Sequence, residues 1–215
     1  MTTLAVALIS VGGTLSGTLG GAVLSQRASR ADALEQNQPA DREREQKRDE
    51  QTLQAKRDLY AHLNTAARAY RVAARDAVEA AERGESADPA LLDNAKEAWA
   101  EQYSQAQMAL VKDVLQVASA LNRSLRIGYS VVKQLPNSPD FDEACQRAKA
   151  WFSRPLSDGV YLLRVTLRHD LGVEVDPHFA QTRTQMLAGL DGARDNLARL
   201  LATERAQTTE PSAST

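Results

Sequence analysis

The chain changes character twice along its length. Residues 4 to 24 carry no charged side chain, residues 25 to 42 are polar and densely charged, and from residue 43 onward apolar residues recur every three or four positions. That last spacing places one apolar stripe along a helix. The first such seam reads Tyr60, Leu63, Ala67, Tyr70, Ala74, Ala77 and Ala81. Its steps alternate between three and four, a heptad pattern built largely of small residues that admits a close partner helix. Gly84 follows as a natural helix-ending residue. Asp88-Pro89 then pairs a capping oxygen with a proline at the first helical position. From there to Pro136 a very long helix is predicted, with a stripe running from Leu92 through Trp99, Ala106, Val114, Leu121 and Gly128 to Leu135. Its steps run mainly 3-4-4, close to a straight helix. Ser138-Pro139 opens a third helix to about Leu171, which Pro155 should kink or break. Asp176-Pro177 opens the last, to about Glu204, with Phe179, Met186, Leu190, Ala193, Leu197 and Leu200 on one face.

These patterns predict an all-α fold. Residues 43–205 form an antiparallel bundle of about four long helices, one broken near Pro155, because the short link at 84–88 brings two long helices back alongside each other. A disordered polar tail is expected over 206–215. Residues 25–42 read as a charged stalk or solvated helix, with Glu43 four residues before Lys47 and an interruption near Pro39.

The opening run is the most unusual part. The 21 uncharged residues from Leu4 to Leu24 would span about 31 Å as a helix, the thickness of a bilayer's hydrocarbon core. A cleaved export signal would need a basic start, and no Lys or Arg precedes Leu4; it would also need a small-x-small cleavage site, and "GGAVLSQRASR" offers no convincing A-x-A. A transmembrane helix over 4–24 is therefore expected, with the lipid bilayer as its partner. Arg27 and Arg30 flank only its C-terminal side, so the positive-inside rule puts the N-terminus outside and the body in the cytoplasm. Gly13, Gly17 and Gly21 share one face of that helix. Small residues at this spacing let two helices approach closely, so self-association through the anchor is one reading and compositional chance the other.

Composition narrows the chemistry. Of 215 residues, 43% are hydrophobic but only 5% aromatic, so the core must rest on Ala, Leu and Val. A net charge of −2 argues against nucleic acid as a partner. The single cysteine, Cys145, excludes an internal disulfide and reads as a buried thiol. His169, Asp170 and His178 could be drawn together as a metal set, but separate polar surface residues explain them more simply. No phosphate loop or nucleophile elbow occurs in the body, and Pro136-x-x-Pro139 reads as helix punctuation. No catalytic residue, cofactor or metal is expected, and the chain reads as a non-enzyme.

The Gly-rich segment ending "LGGAVLSQRASR", the stretch "REREQKRDEQTLQAKRDLYAHLNTAARAY" and the late "LLRVTLRHDLGV" together resemble a class of actinobacterial single-pass membrane proteins of uncharacterised function. The resemblance implies a small-residue membrane helix, a charged stalk and a cytoplasmic helical domain, marked here by Leu59-Tyr60 with Leu63 and by Asp170-Leu171-Gly172. It implies no activity. Two roles fit: a membrane-anchored interaction or scaffold protein, meeting a protein partner or a second copy through its long helices, and a membrane-active oligomer packed through the glycine face.

Overall fold

The computed structural model describes the backbone of residues 3–85 and 88–209, and side chains over 42–85 and 90–206 together with Asp88. Every regular element among them is helical: α1 (Thr3–Glu82), α2 (Pro89–Gln107), α3 (Lys112–Gln134), a single 3-10 turn at Leu135–Asn137, α4 (Phe141–Ser153), α5 (Pro155–Asp170) and α6 (Phe179–Thr209). The chain divides into two compact units, residues 1–55 and 56–215. In the first, Lys47 and Glu43 form the expected pair one turn apart, at 2.7 Å. The helix is continuous across position 39, against the expected interruption. A proline in a solvated helix removes one donor, and water can serve the carbonyl it frees.

The second unit is a helical bundle whose directions follow from its cross-links. Trp99 Nε1 donates to Asn122 Oδ1 at 2.9 Å, the Tyr103 and Ser119 hydroxyls lie 3.0 Å apart, and Tyr129 OH donates to Asp93 at 2.8 Å. Rising numbers on α2 meet falling numbers on α3, so the two form an antiparallel hairpin. Likewise Lys56 and Tyr60 meet Asp170, Arg71 meets Phe152, and Glu82 pairs with Lys149. The C-terminal part of α1 therefore runs antiparallel to α4 and α5. Asp113 pairs with Arg183 and Arg123 with Asp191, so α6 runs parallel to α3.

The bundle thus has five rods rather than four, because the helix expected over 88–136 is a hairpin broken at Met108–Val111. A single helix over 89–134 would be about 69 Å long at 1.5 Å per residue. Much of its stripe would lie beyond the reach of its neighbours. Folding it back lets Trp99 and Ala106 on α2 bury alongside Val114, Val117 and Leu121 on α3. The predicted stripe is otherwise the buried one, and α3 buries Ala118, Ala120, Ser124 and Val131 as well, since it packs against α2, α4, α5 and α6.

Local signals place the helix ends. Gly84 and Gly172 have φ of +70° and +68°, a region where only glycine is unstrained. Each closes a paired C-terminal hydrogen-bond motif: Gly84 N to Ala81 O and Glu85 N to Ala80 O, then Gly172 N to His169 O and Val173 N to Arg168 O. Asp88 accepts from Ala90 N, the expected N-cap. Pro155 separates α4 from α5 as expected. Two starts are displaced. α4 begins at Phe141, capped by Asp140 on Glu143 N, while Ser138 bonds Asp140 O instead. α6 begins at Phe179 after an Asp176 turn, and continues to Thr209, past the expected end near Glu204. Residues 210–215 of the expected tail lie outside the described residues. The seams also drift by one residue at their ends: Val78 is buried in place of Ala77, and Leu201 in place of Leu200, which is 50% exposed. A strict 3-4 alternation falls behind the helix by about 20° per heptad, so the buried position moves later along each seam.

Candidate functional site

Two cavities mark the ends of the bundle. The first lies where α3 and α6 begin and α5 ends, and has a volume of about 490 Å³. Asp170, the last residue of α5, organises one side of it. Its carboxylate accepts from Tyr60 OH at 2.5 Å and pairs with Lys56 at 2.7 Å. Burial pushes its pKa upward, but the bonds from Lys56 and Tyr60 outweigh that and hold the carboxyl below its usual range. Burial, with Asp170 beside it, pushes the Tyr60 phenol upward. Neighbouring His169 stacks on Phe179, ring centroids 4.2 Å apart, and Asp113 is taken by Arg183. Asp176 accepts from the His178 backbone. Asp170 thus ties α5 to α1 and Asp113 ties α3 to α6, while Asp176 closes its own turn.

His169, Asp170 and His178, weighed above as a metal set, serve other contacts: the His169 ring stacks on Phe179 and the Asp170 carboxylate holds Lys56 and Tyr60. Among the described residues no group of three or more His, Cys, Asp or Glu is placed to hold a metal ion. Cys145 is buried at 1% exposure, and burial raises its thiol pKa, with Glu82 and Asp142 adding to the effect. That disfavours the thiolate a nucleophile needs. His62 is exposed. Gly13, Gly17 and Gly21 fall in the part of α1 whose side chains lie outside the described residues, as does the whole run 4–24. Among the described residues no helix is long and apolar enough to cross a membrane.

The second cavity, about 330 Å³, lies at the opposite end, where α3 and α6 finish and α4 begins. Its floor is Val131, Leu135, Ala144 and Leu201. Above that floor sit Arg147, Glu204, Arg205 and Gln134. Arg147 reaches Glu204 at 2.5 Å and Glu143 at 3.6 Å through its terminal nitrogens, while its buried Nε has no acceptor. Arg205 Nε lies 3.1 Å from the Gln134 carboxamide, turned so that its oxygen accepts. This site carries no local sequence signal: Arg147 and Glu204 stand 57 residues apart, and each reads alone as a charge on a wet helix face. Compared with known proteins, the chain matches no family model, no curated protein and no solved structure.

Proposed function

We propose that the chain is a membrane-tethered helical adaptor: residues 4–24 cross the bilayer, residues 25–42 form a stalk, and the bundle works in the cytoplasm as a docking body for another protein or a second copy. The observation that carries this is the uncharged run from Leu4 to Leu24, followed by Arg27 and Arg30 and lying on the same helix, α1, as the bundle's first seam. The resemblance to actinobacterial single-pass membrane proteins points the same way. The bundle's chemistry supports a binding rather than a catalytic role. Several of its part-buried polar groups brace one helix against another: Trp99 on Asn122, Tyr60 and Lys56 on Asp170, and Arg71 on the Phe152 carbonyl. Its cysteine is a buried thiol.

The test is photo-crosslinking in native membranes. A crosslinking residue is placed in turn at exposed positions Leu91, Met108, Tyr161 and Val175. The adaptor role predicts a discrete higher-mass product from at least one position, either a homodimer or a complex with one other protein. Monomer alone from every position would refute it.

A further inference from the structure

We infer that residues 56–82, the C-terminal part of α1, form a releasable strap: they lift from the bundle as a unit, leave α3, α4, α5 and α6 packed, and uncover the edge of α4 that holds Cys145. Ala67 and Ala74 lie at the centre of the strap's seam, and an alanine brings far less apolar area to a core than a leucine does. The same stretch concentrates polar groups that burial leaves without partners. Asn64 Oδ1, Tyr70 OH and Arg71 Nε, all within about two turns, are closed to solvent and meet no hydrogen-bond partner among the described residues. The other such atoms, on Arg147, Trp151 and Arg183, are spread over α4 and α6. Each unpaired group weakens the docked state and regains water when the helix lifts. Burial, with the Arg75 and Arg68 charges beside it, also pushes the Arg71 pKa down, so docking works against that charge. The strap is held by polar braces along its length: Lys56 and Tyr60 on Asp170, Arg71 on the Phe152 carbonyl, and Glu82 on Lys149. Beneath it the packing is of another kind. Leu121 of α3 and Leu190 of α6 close on Gly159 of α5, and the buried Ser124 and Thr166 hydroxyls bond carbonyls of their own helices.

Cys145, Lys149 and Phe152 recur at steps of four and three, so they share one edge of α4. Glu82 pairs with Lys149 and bears electrostatically on the Cys145 thiol, while Arg71 reaches the Phe152 carbonyl, so α1 covers that edge. A face covered in this way is offered to a partner only while the strap is up, and α1 is the helix that continues to Thr3. With the strap down the thiol is buried. It belongs to the chain's single cysteine, so its reaction with a thiol reagent reports this opening.

The inference is independent of the membrane anchor. Its test uses the full chain, in nanodiscs on a cysteine-free scaffold or in buffer should it purify without lipid. Cys145 is labelled with excess maleimide, and amide hydrogen exchange is followed by mass spectrometry in parallel. The expected result is exchange over 56–82 at least about tenfold faster than within α3, after correction for intrinsic rates, with labelling governed by the same opening. Asp170→Asn, which removes the charge that holds Lys56 and Tyr60, should speed labelling about tenfold or more. Tyr70→Phe, which deletes an unpaired hydroxyl, should slow it about fivefold or more. Leu190→Ala, which opens a cavity among α3, α5 and α6, should speed exchange in α3 at least about thirtyfold. It should leave labelling unchanged, because the lifted state keeps that packing. Labelling that speeds in step with α3 exchange in Leu190→Ala overturns the inference, since the thiol would then need the whole bundle to unfold. Equal protection of 56–82 and α3 overturns it too, as does a Tyr70→Phe chain that labels as fast as the parent. These last two readouts stand if Leu190→Ala fails to fold.

Discussion

Asp170 is the residue on which one end of the bundle turns. Its carboxylate joins α5 to two residues of α1, Lys56 and Tyr60. Replacing it with asparagine keeps the shape but removes the charge that both partners address. Hydrogen bonds to a charged group contribute about 1.5–3 kcal/mol, so Asp170→Asn should lower the unfolding free energy by about that much at pH 7. The pH dependence follows from the direction of its shift. The folded-state pKa lies below the unfolded one, so the stabilisation is present above the ordinary aspartate range. It is lost as pH falls through the depressed folded value. Urea denaturation at pH 7 and at pH 3 should show the gap between parent and Asp170→Asn narrowing at the lower pH. An equal gap at both would mean that charge is not what Asp170 contributes. The sequence groups Asp170 with His169 and His178 because they are near in the chain. Its actual partners are 114 and 110 residues away, a distance over which no spacing rule operates.

At the scale of the helix, the glycines separate packing from propensity. A Cβ on Gly128 of α3 would sit 3.0 Å from the Phe152 ring and 3.1 Å from Trp151 Nε1. A Cβ on Gly189 or Gly192 of α6 would meet nothing within 4 Å. Alanine is favoured over glycine in a helix by about 1 kcal/mol, whereas overfilling a packed core costs about 1–3 kcal/mol. Gly128→Ala should therefore destabilise the bundle by up to about 2 kcal/mol, while Gly189→Ala and Gly192→Ala should each stabilise it by up to about 1 kcal/mol. Thermal or urea unfolding of the three variants checks this; a stabilised Gly128→Ala would show that the two rings yield freely. Helix ends were largely legible where a glycine or a proline marks them, at Gly84, Asp88-Pro89, Pro155 and Gly172. The break at Met108–Val111 was not, since "MALV" contains neither residue and the stripe continues through it in step. Val111 caps α3 without a side-chain hydrogen bond. The turn goes with the burial of Trp99 and Ala106 on α2 and of the α3 stripe, which packs chiefly on α5 and α6, a tertiary cause without a local signature.

For the whole molecule, the sequence conveys an all-α body because a 3.6-residue period is a property of the chain itself. It does not convey the number of rods, which depends on where a continuous stripe folds back, or the two cavities, which arise where three helix ends meet. The proposed function divides the labour: the uncharged run 4–24 would hold the chain at a bilayer, and the bundle, with its own core, would carry the docking surface. The most direct measurement of that claim compares the full chain with one beginning at residue 43, both fractionated from cells and washed in alkaline carbonate. The account predicts that the full chain stays with the membrane pellet, while the shorter one appears in the supernatant with a strongly helical circular dichroism spectrum. Release of the full chain by carbonate, or retention of the shorter chain in the pellet, would contradict it.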